Sequence, residues 1–496
     1  MRLVPVPEVS EAQLDASRHT LVREAAWACL SWAMCGGVIL LSFALVLGAR
    51  PLDIGLLAAI PFVAQAAQLP AIAIVDRLRR RQLISVGTIS AARVGVLMFA
   101  LLPWVADRGL ALSLLVLLQI LVSSLLSVGT CSLNSWLHQL IPHHELGAFF
   151  SRRLFWGTSM ACAGTLLASA AIDRAAPHQR LPVYAGIFVV ATLTGFMASR
   201  QLARASEPAM QDAGPAAPLL SRLCVPFRDS NFRRLLVFLG AWNLASNFAA
   251  PFVTVYLLQQ LRYPLATVTS MWVTSQVANA ITLYLWGRVS DRLSNKSILA
   301  VALPLYFVCT LGLVFTNLGE STGMQMALLY LLHVLMGAAS GGIGLATGNL
   351  GLKLAPRGEA TTYLASIGLV SAVAGGVAPL LAGALAQALQ ASELAVVVRW
   401  VAPGGAGEAR VLSFAHWEFV FALSAMLGLY VLHALSRIRE GDEISERLVI
   451  QELALEALRA VNQLSSIGGA LGSVFAFERL SERRRFSRLG PRARVR

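Results

Sequence analysis

Twelve long apolar runs constrain the fold of this chain more than any other feature of its sequence. An α-helix needs about 20 residues to cross the ~30 Å of hydrocarbon in a bilayer, and each run is close to that length. A β-barrel would instead show short segments of alternating polarity. The runs therefore predict an all-α, multi-pass membrane protein with twelve transmembrane helices, near residues 26–48, 53–75, 83–105, 109–133, 154–172, 182–199, 235–258, 264–287, 297–317, 324–351, 362–389 and 415–435.

The composition supports a membrane environment and argues against several other classes of protein. Only 13% of the 496 residues are charged, whereas a soluble domain averages about 25%, so the chain cannot cover itself with polar groups. The net charge of +14 does not indicate nucleic-acid binding, because the basic residues flank the apolar runs. The six cysteines lack the close spacing of a metal site. We expect no cofactor, no metal and no nucleic-acid partner.

The distribution of basic residues predicts the orientation of the helices. Short loops on the cytoplasmic side of a membrane are enriched in Lys and Arg. With twelve spans, both termini lie on one side, and most of the 40 basic residues fall on that side. Both termini are therefore predicted to be cytoplasmic, and we expect a bacterial inner (plasma) membrane. The first 25 residues lack the apolar core of a signal peptide, so the first span must direct insertion. The opposite side holds Arg50, Arg108, Arg174, Arg180, Arg262, Arg399 and Arg410.

An internal repeat relates the two halves of the chain. The sequence Asp76-Arg77-Leu78 after span two recurs as Asp291-Arg292-Leu293 after span eight, 215 positions later. A second motif at the end of span four recurs at the end of span ten with an offset of 214 or 215. A shift of six spans preserves orientation, so the halves should be related by an axis along the membrane normal. The second motif comprises Asn134, Pro142, Glu145 and Phe149, repeated as Asn349, Pro356, Glu359 and Tyr363.

At these residues the chain resembles the major facilitator superfamily (MFS). Its signature between helices two and three is approximately G-x-x-x-D-R-x-G-R-R, with a degenerate copy between helices eight and nine. The first copy here has Ile72 at the leading glycine and Arg79 at the second glycine. The resemblance implies an MFS fold and a conformational latch that holds one access state. The alternative is a charge cluster that only sets topology. The latch residues would be Asp76, Arg77, Arg80, Arg81, Gly287, Asp291, Arg292 and Lys296.

The spans and the repeat predict five regions of the chain. A cytoplasmic N-terminal arm (1–25) precedes a six-helix bundle (26–199), and a linker rich in Pro, Ala and Gly (200–234) leads to a second bundle (235–435). The basic cytoplasmic tail (436–496) contains alternating acidic and apolar residues at helical spacing near 439–462, followed by a polybasic stretch. This tail is interpreted either as a helix on anionic lipid or as a solvated segment. The loop 390–414 is predicted to be a mobile surface excursion.

The resemblance also implies a substrate cavity lined mainly by helices one, four, seven and ten, near the bilayer midplane. Polar and aromatic residues deep in the spans are the candidates. Gln119 and His333 stand out because they occupy equivalent depths in spans four and ten. The alternative for each residue is an interhelical hydrogen bond that only ties the bundle together. The candidate substrate-binding residues are Gln119, His333, Trp32, Trp242, Asn243, Asn247, Tyr256, Gln276 and Asn279.

Charged residues within the spans are scarce. Arg93 lies near the middle of span three, and an intramembrane cation is a functional candidate by default, although snorkelling or capture by backbone carbonyls competes with that interpretation. No Asp or Glu lies well inside a predicted span; Asp53 and Glu418 lie near outer ends. His333 is then the deeply placed group that titrates near neutrality. Proton coupling, sodium coupling and facilitated diffusion all remain open.

Three functional hypotheses follow from these observations. The favoured one is a secondary transporter that moves a small solute by alternating access, with or without a coupling ion, and that works as a monomer in contact with membrane lipid. The alternative is a sensor or assembly partner that has kept the duplicated fold without transporting. A membrane-embedded enzyme is not supported, because no paired catalytic groups appear within the spans.

Overall fold

The computed structural model describes residues 5–7, 9–210, 224–290, 294–318, 322–356, 360–402 and 405–440. Twelve long helices confirm the predicted all-α membrane fold. Eleven of them are long and apolar enough to cross a membrane, whereas α8 has sufficient length but a more polar sequence. The helices are α1 Glu11–Val46, α2 Pro51–Leu78, α3 Arg81–Trp104, α4 Arg108–Leu140, α5 Leu146–Arg174, α6 Pro177–Leu202, α7 Ser230–Gln260, α8 Leu265–Ser290, α9 Asn295–Thr316, α10 Thr322–Leu354, α11 Ala360–Ala388 and α12 Trp417–Ser436.

The first helix begins much earlier than hydropathy indicates and is broken in the middle. Ser10 and Gln13 form a capping box at its start, so residues 11–25 are helical and not an extended arm. A window of apolar residues misses this part because its outer face is polar. The break lies at Gly36 and Gly37, where Gly37 has φ of +49°. Glycine adopts this left-handed conformation without a steric penalty, and the helix therefore changes direction next to Trp32.

Equivalent helices pack in the same way in the two halves, as the internal repeat requires. In the N-terminal half, α1 packs on α5 and α6, and α4 packs on α3. In the C-terminal half, α7 packs on α11 and α12, and α10 packs on α8 and α9. Small residues allow some of these close approaches; a Cβ atom at Gly337 would collide with the backbone of Ser275. The tandem bundles thus share one architecture.

The two halves join on the membrane side opposite the termini, which we call the far side. There α2 and α11 meet along a line of glycines, and a Cβ atom at Gly55 or Gly383 would collide with the backbone of the other helix. On the other flank, α5 meets α8 through the Ser169 and Thr269 hydroxyls, 2.7 Å apart. The Asp173 carboxylate accepts two backbone N–H bonds at the start of α8. These contacts form the far-side seam.

The buried hydrophobic residues also show that the two halves are joined on the far side. One hydrophobic cluster draws on both halves, with Phe43 and Ile54 on one side and Phe252 and Ala382 on the other. The other two clusters are confined to single halves and lie toward the ends that carry the termini. Within the described residues, the hydrogen bonds that join the halves belong to the far-side seam. The two halves therefore share a hydrophobic core on the far side, whereas on the terminus side each half has its own.

A carboxylate caps one helix of each half on the terminus side. Glu207, after α6, accepts hydrogen bonds from the backbone N–H groups of Arg81 and Gln82 at 2.6 and 3.1 Å. Glu440, after α12, accepts bonds from Asn295 and Lys296 at 3.2 and 2.7 Å. Helix N-termini favour negative charge. The two caps occupy equivalent places in the repeat and fix the start of α3 and α9.

The segment between α11 and α12 contains regular structure that the sequence analysis did not predict. It forms an antiparallel hairpin, with β1 at Glu393–Ala402 and β2 at Gly405–Ala415. The run Val396-Val397-Val398 favours this, because β-branched residues are common in strands. The predicted mobility of this segment stays a prediction. The ladder contains one irregularity, between Val396 and Val397. The tail beyond residue 440, including the predicted amphipathic segment, lies outside the described residues.

Candidate functional site

An aromatic residue, Trp32, lies beside the break in α1. Trp32 is 38% exposed and its ring lies against Gly36, where an added Cβ atom would be 3.0 Å from the indole. Discontinuous helices are a recurrent feature of solute sites in transporters. Trp32 is thus a stacking surface held by the break itself.

The candidates on α7 are two asparagines and two aromatic residues, and they have different surroundings. Asn243 and Asn247 are half-buried, and their amides donate to backbone carbonyls one turn earlier at 2.8 and 2.9 Å. Asn243 also donates to the Ser371 hydroxyl of α11 at 3.2 Å. Trp242 packs edge-on against Tyr306, with ring centroids 5.0 Å apart. Tyr256 is fully buried. These bonds leave the amide oxygens of Asn243 and Asn247 as the accessible polar groups.

Tyr256 serves the packing of its own half. Its hydroxyl lies 2.7 Å from the Thr316 hydroxyl of α9, and its ring meets Phe421 of α12 edge-on. A side chain surrounded in this way has no surface to offer a solute.

Gln119 and His333 occupy equivalent depths, and Gln119 faces a neighbouring helix of its own half. Gln119 is 2% exposed and shares a helix face with Leu115 and Val122. That face packs on α3, because a Cβ atom at Gly95 would collide with Val122. The Nδ1 of His333 lies 2.8 Å from the carbonyl of Leu329. In the described part of the chain, no hydrogen bond joins the Gln119 and His333 side chains.

The polar helix α8 supplies amides that have no protein partner. The side chains of Gln276 and Asn279 are half-buried, and neither amide forms a hydrogen bond within the described residues. A buried amide without a protein partner needs water or a ligand. One turn separates the two residues, so both amides are available on one stretch of α8. Gln119 meets the same criterion, because it is 2% exposed and forms no hydrogen bond within the described residues. Gln276 and Asn279 differ from it in being half-buried, so their amides keep some accessible surface.

A buried ion-pair cluster in the N-terminal half was missed by the sequence analysis. Glu24 of α1 is 4% exposed, and its carboxylate accepts a hydrogen bond from Arg153 of α5 at 2.7 Å. Glu24 lies two residues before the predicted start of span one, so the search for acids within the spans did not include it. The early start of α1, marked by Ser10 and Gln13 in a capping box, is the signal that could have revealed it.

Arg93 of α3 completes this cluster, which we call the charge cluster (Glu24, Arg93 and Arg153). Arg93 is 3% exposed, so it does not snorkel to the membrane surface. Its Nη1 donates a hydrogen bond to the Ser31 hydroxyl of α1 at 3.2 Å, and its Nε has no partner within the described residues. Its positive charge attracts the Glu24 carboxylate electrostatically. Two arginines thus share one carboxylate in a site shielded from water.

The predicted latch residues of the N-terminal half include both exposed and buried side chains. Asp76, Arg77 and Arg80 are exposed, and Asp76 makes no hydrogen bond or ion pair with any described residue. Arg81 is buried and its guanidinium donates to the carbonyls of Ser135 and Pro208 at 3.2 and 2.7 Å. Asp291 and Arg292 lie outside the described residues.

The second copy of the latch is described at its two ends. Gly287 is half-buried with open space beside it. The backbone of Lys296 is bound by the Glu440 carboxylate. Burial raises the pKa of Glu440, but hydrogen bonds from Lys296, Asn295 and Lys353 outweigh it and hold this pKa below its usual range.

Comparisons with known proteins agree with this architecture. The family model described as "Major Facilitator Superfamily" matches residues 25–379. No curated protein matches the sequence.

Among solved structures, the nucleoside transporter NupG has a TM-score of 0.63 at 12% identity, covering 85% of this chain and 99% of its own. A bacterial homolog of the human lysosomal transporter Spinster, inward-facing and unoccupied, has a TM-score of 0.57 at 13% identity, covering 90% and 96%. A bacterial homologue of the iron transporter ferroportin, in an inward-facing state, has 0.57 at 14% identity, covering 86% and 99%. At these identities the likeness concerns the fold alone.

Proposed function

The chain belongs to the Major Facilitator Superfamily, and we propose that it is a secondary transporter that moves a small solute across the membrane by alternating access. One observation carries the proposal: the two halves join along the far-side seam, while each keeps its own core toward the terminus side. Two bundles joined along one edge can rock about it and expose a shared chamber to either face. A static sensor would not need a seam made of glycines and of the short side chains of serine and threonine.

The basic loops assign the open chamber to the cytoplasm. With both termini cytoplasmic, as the excess of Lys and Arg predicts, this conformation is inward-open. The proposed latch supports the same assignment, because Asp76 is exposed and unbound within the described part of the chain. A latch that holds the outward-open state would be released when the inner ends of the halves separate. We place the protein as a monomer in a plasma (inner) membrane.

The solute proposed here is polar and binds through hydrogen bonds. Gln276 and Asn279 each offer a donor and an acceptor, the Asn247 oxygen adds an acceptor, and Trp32 offers an aromatic face. His333, one turn from the α8–α10 contact at Gly337, would border the same space. A metal-ion cargo is not favoured, because the described residues contain no group of three His, Cys, Asp or Glu side chains that could hold one.

The charge cluster is the proposed site of ion coupling. Glu24 is balanced by Arg153 at 2.7 Å, with Arg93 as a second cation. Addition of a proton to Glu24 would break the charge pairing and leave two arginines uncompensated in a low-dielectric site. A change of that size alters the preferred packing of α1, α3 and α5. Proton loading would therefore be linked to the conformational change through α1, the helix that also carries Trp32.

Proteoliposomes with an imposed pH gradient test the proposal. The protein is reconstituted and screened against a panel of nucleosides, sugars, amino acids, short peptides and organic acids for uptake. The proposal expects at least one solute to accumulate with saturation. The double variant Q276A/N279A should raise KM about tenfold or more, since two hydrogen-bonding groups are lost. The control Q139A removes a surface amide that bonds the carbonyl of Ala209 and should leave KM unchanged. Absence of transport across the panel would favour the sensor or assembly partner.

A further inference from the structure

An apolar groove runs along the outside of the C-terminal half, between α7, α11 and α12. Its volume is 390 Å³, and its walls are apolar side chains except for one arginine and one tyrosine at the terminus-side end. Val237 and Tyr430 on its rim are 47% and 54% exposed. The α7 residues Gly240 and Leu244 also line it. A channel of this shape and polarity suits a hydrocarbon chain.

The groove continues into a second, cationic cavity at the terminus side. This cavity has a volume of 610 Å³ and shares Arg233, Val237 and Tyr430 with the groove. We call Arg233, Arg234, Arg437 and Arg439 the arginine cluster; all four line this cavity. Apolar and cationic surfaces therefore form one continuous site.

The arginine cluster carries charge that the described protein does not neutralise. Arg234 donates to the backbone carbonyl of Arg437 at 3.2 Å. The backbone N–H of Arg439 donates to Asn231 at 3.1 Å, while its side chain is exposed. None of the four arginines forms an ion pair with a carboxylate within the described residues. Four close cations near an apolar groove attract a multivalent anionic group from outside.

The equivalent cavity of the N-terminal half shows how such charge is neutralised internally. Arg18, which lies 215 positions before Arg233, lines a cavity of 660 Å³ together with Asp15 and Glu145. Arg18 pairs with Asp15 at 2.7 Å and also with Glu145. In the C-terminal half, Ser230 stands at the position equivalent to Asp15. Of the Arg18–Asp15 pair, the second copy thus keeps the arginine at position 233 and has a serine in place of the acid.

We propose that this groove and the arginine cluster form a binding site for an anionic phospholipid. The phosphodiester group is held by the arginine cluster, and one acyl chain lies along the groove between α11 and α12. Basic pockets between helices on the cytoplasmic side are suited to anionic head groups. The site joins α7 to α12, so the bound lipid stabilises the packing of the C-terminal half. It lies apart from the proposed solute site.

Purified full-length protein in detergent tests this site with defined lipids. Dioleoylphosphatidylglycerol is titrated against dioleoylphosphatidylcholine, and Tm and the lipid adducts retained in native mass spectrometry are measured. The expected result is a rise in Tm and a retained adduct for phosphatidylglycerol only. The variant R233Q/R437Q/R439Q should weaken the apparent affinity about tenfold or more, since each arginine near the surface is worth about fivefold. Inorganic phosphate alone should not reproduce the rise in Tm, because it lacks the acyl chain.

Two further variants separate the head-group site from general effects of charge. The control R200Q/R204Q removes two exposed arginines from the equivalent end of α6 and should leave the phosphatidylglycerol effect unchanged. The variant A374F fills the groove without a change of charge and should also weaken lipid retention. Equal responses to both lipids in the native protein, or equal loss in R200Q/R204Q and the arginine-cluster variant, would overturn the proposal. An acidic segment of this chain that covers the cluster would give the first of these outcomes.

Discussion

Replacement of Glu24 by glutamine should destabilise the protein more than most single substitutions. The carboxylate and Arg153 are 5% and 15% exposed in their side chains, and their atoms are 2.7 Å apart. Removal of one partner from a buried ion pair costs about 3–5 kcal/mol, because the other charge stays buried without compensation. For E24Q two arginines are left, so we expect the upper part of this range.

The neighbouring Arg93 makes the expected effects unequal. In R153Q, Glu24 keeps a cation in range, since Arg93 acts on it electrostatically, so the cost should be smaller than for E24Q. The double variant E24Q/R153Q should be more stable than the sum of the single effects implies, with a coupling free energy of at least about 1 kcal/mol. E145Q is the matched control: the Arg18–Glu145 pair is 25% and 38% exposed and should contribute below about 1 kcal/mol.

The free energy of unfolding of these variants can be measured by steric trapping in bicelles. An E24Q cost no larger than that of E145Q, or additive effects in the double variant, would refute the description of the cluster as a coupled buried network.

Three further predictions concern other parts of the molecule. G383V places two methyl groups against the backbone of Pro51 and Leu52 and should open the far-side seam. An impermeant maleimide should then label a cysteine placed at Leu52 more strongly than it does without G383V, and unchanged labelling would contradict this prediction. The hydrogen bonds that depress the Glu440 pKa should stabilise the start of α9 above about pH 4.3 and be lost as the pH falls through the lower folded pKa. The protection factors of the Asn295 and Lys296 amides, which relate the observed exchange rate to the intrinsic rate at the same pH, should fall there in the native protein, whereas in E440Q they should be low at every pH. Y256F removes the bond to Thr316 and should lower stability by about 1 kcal/mol with no change in solute KM; a raised KM would return Tyr256 to the solute site.

The fold was predictable because hydrophobic length and the repeat are direct consequences of membrane solvation and duplication. Lipid offers backbone groups no hydrogen bonds, so each crossing must be a closed helix, and the long apolar runs indicated all twelve helices, including the more polar α8. The match of Asp76 with Asp291 relates the halves without any structural information. The start of α1 was misplaced because a buried Glu24 and its polar neighbours lower the hydropathy of a segment that is nevertheless helical.

The candidate site was less predictable, because depth in a helix does not determine the direction in which a side chain points. Gln119 and Tyr256 lie deep in their spans, yet one faces α3 and the other faces α9. Gln276 and Asn279 are half-buried and, like Gln119, form no hydrogen bond within the described residues. Which of these amides meets a solute depends on the rotation of each helix. The neutralisation of Glu24 by Arg153, far away in sequence, depends equally on tertiary packing. Residue type and depth in the membrane identify candidate residues, but the rotation of each helix determines which of them face a solute.

The far-side seam offers the most direct test of alternating access. Ser169 and Thr269 lie in different halves with hydroxyl oxygens 2.7 Å apart, so S169C/T269C, made after replacement of the six native cysteines, should form a disulfide on oxidation. Rocking requires this seam to open, and the account predicts that transport stops when the bond forms and returns when it is reduced. Full transport by protein that is completely cross-linked across the seam would contradict it.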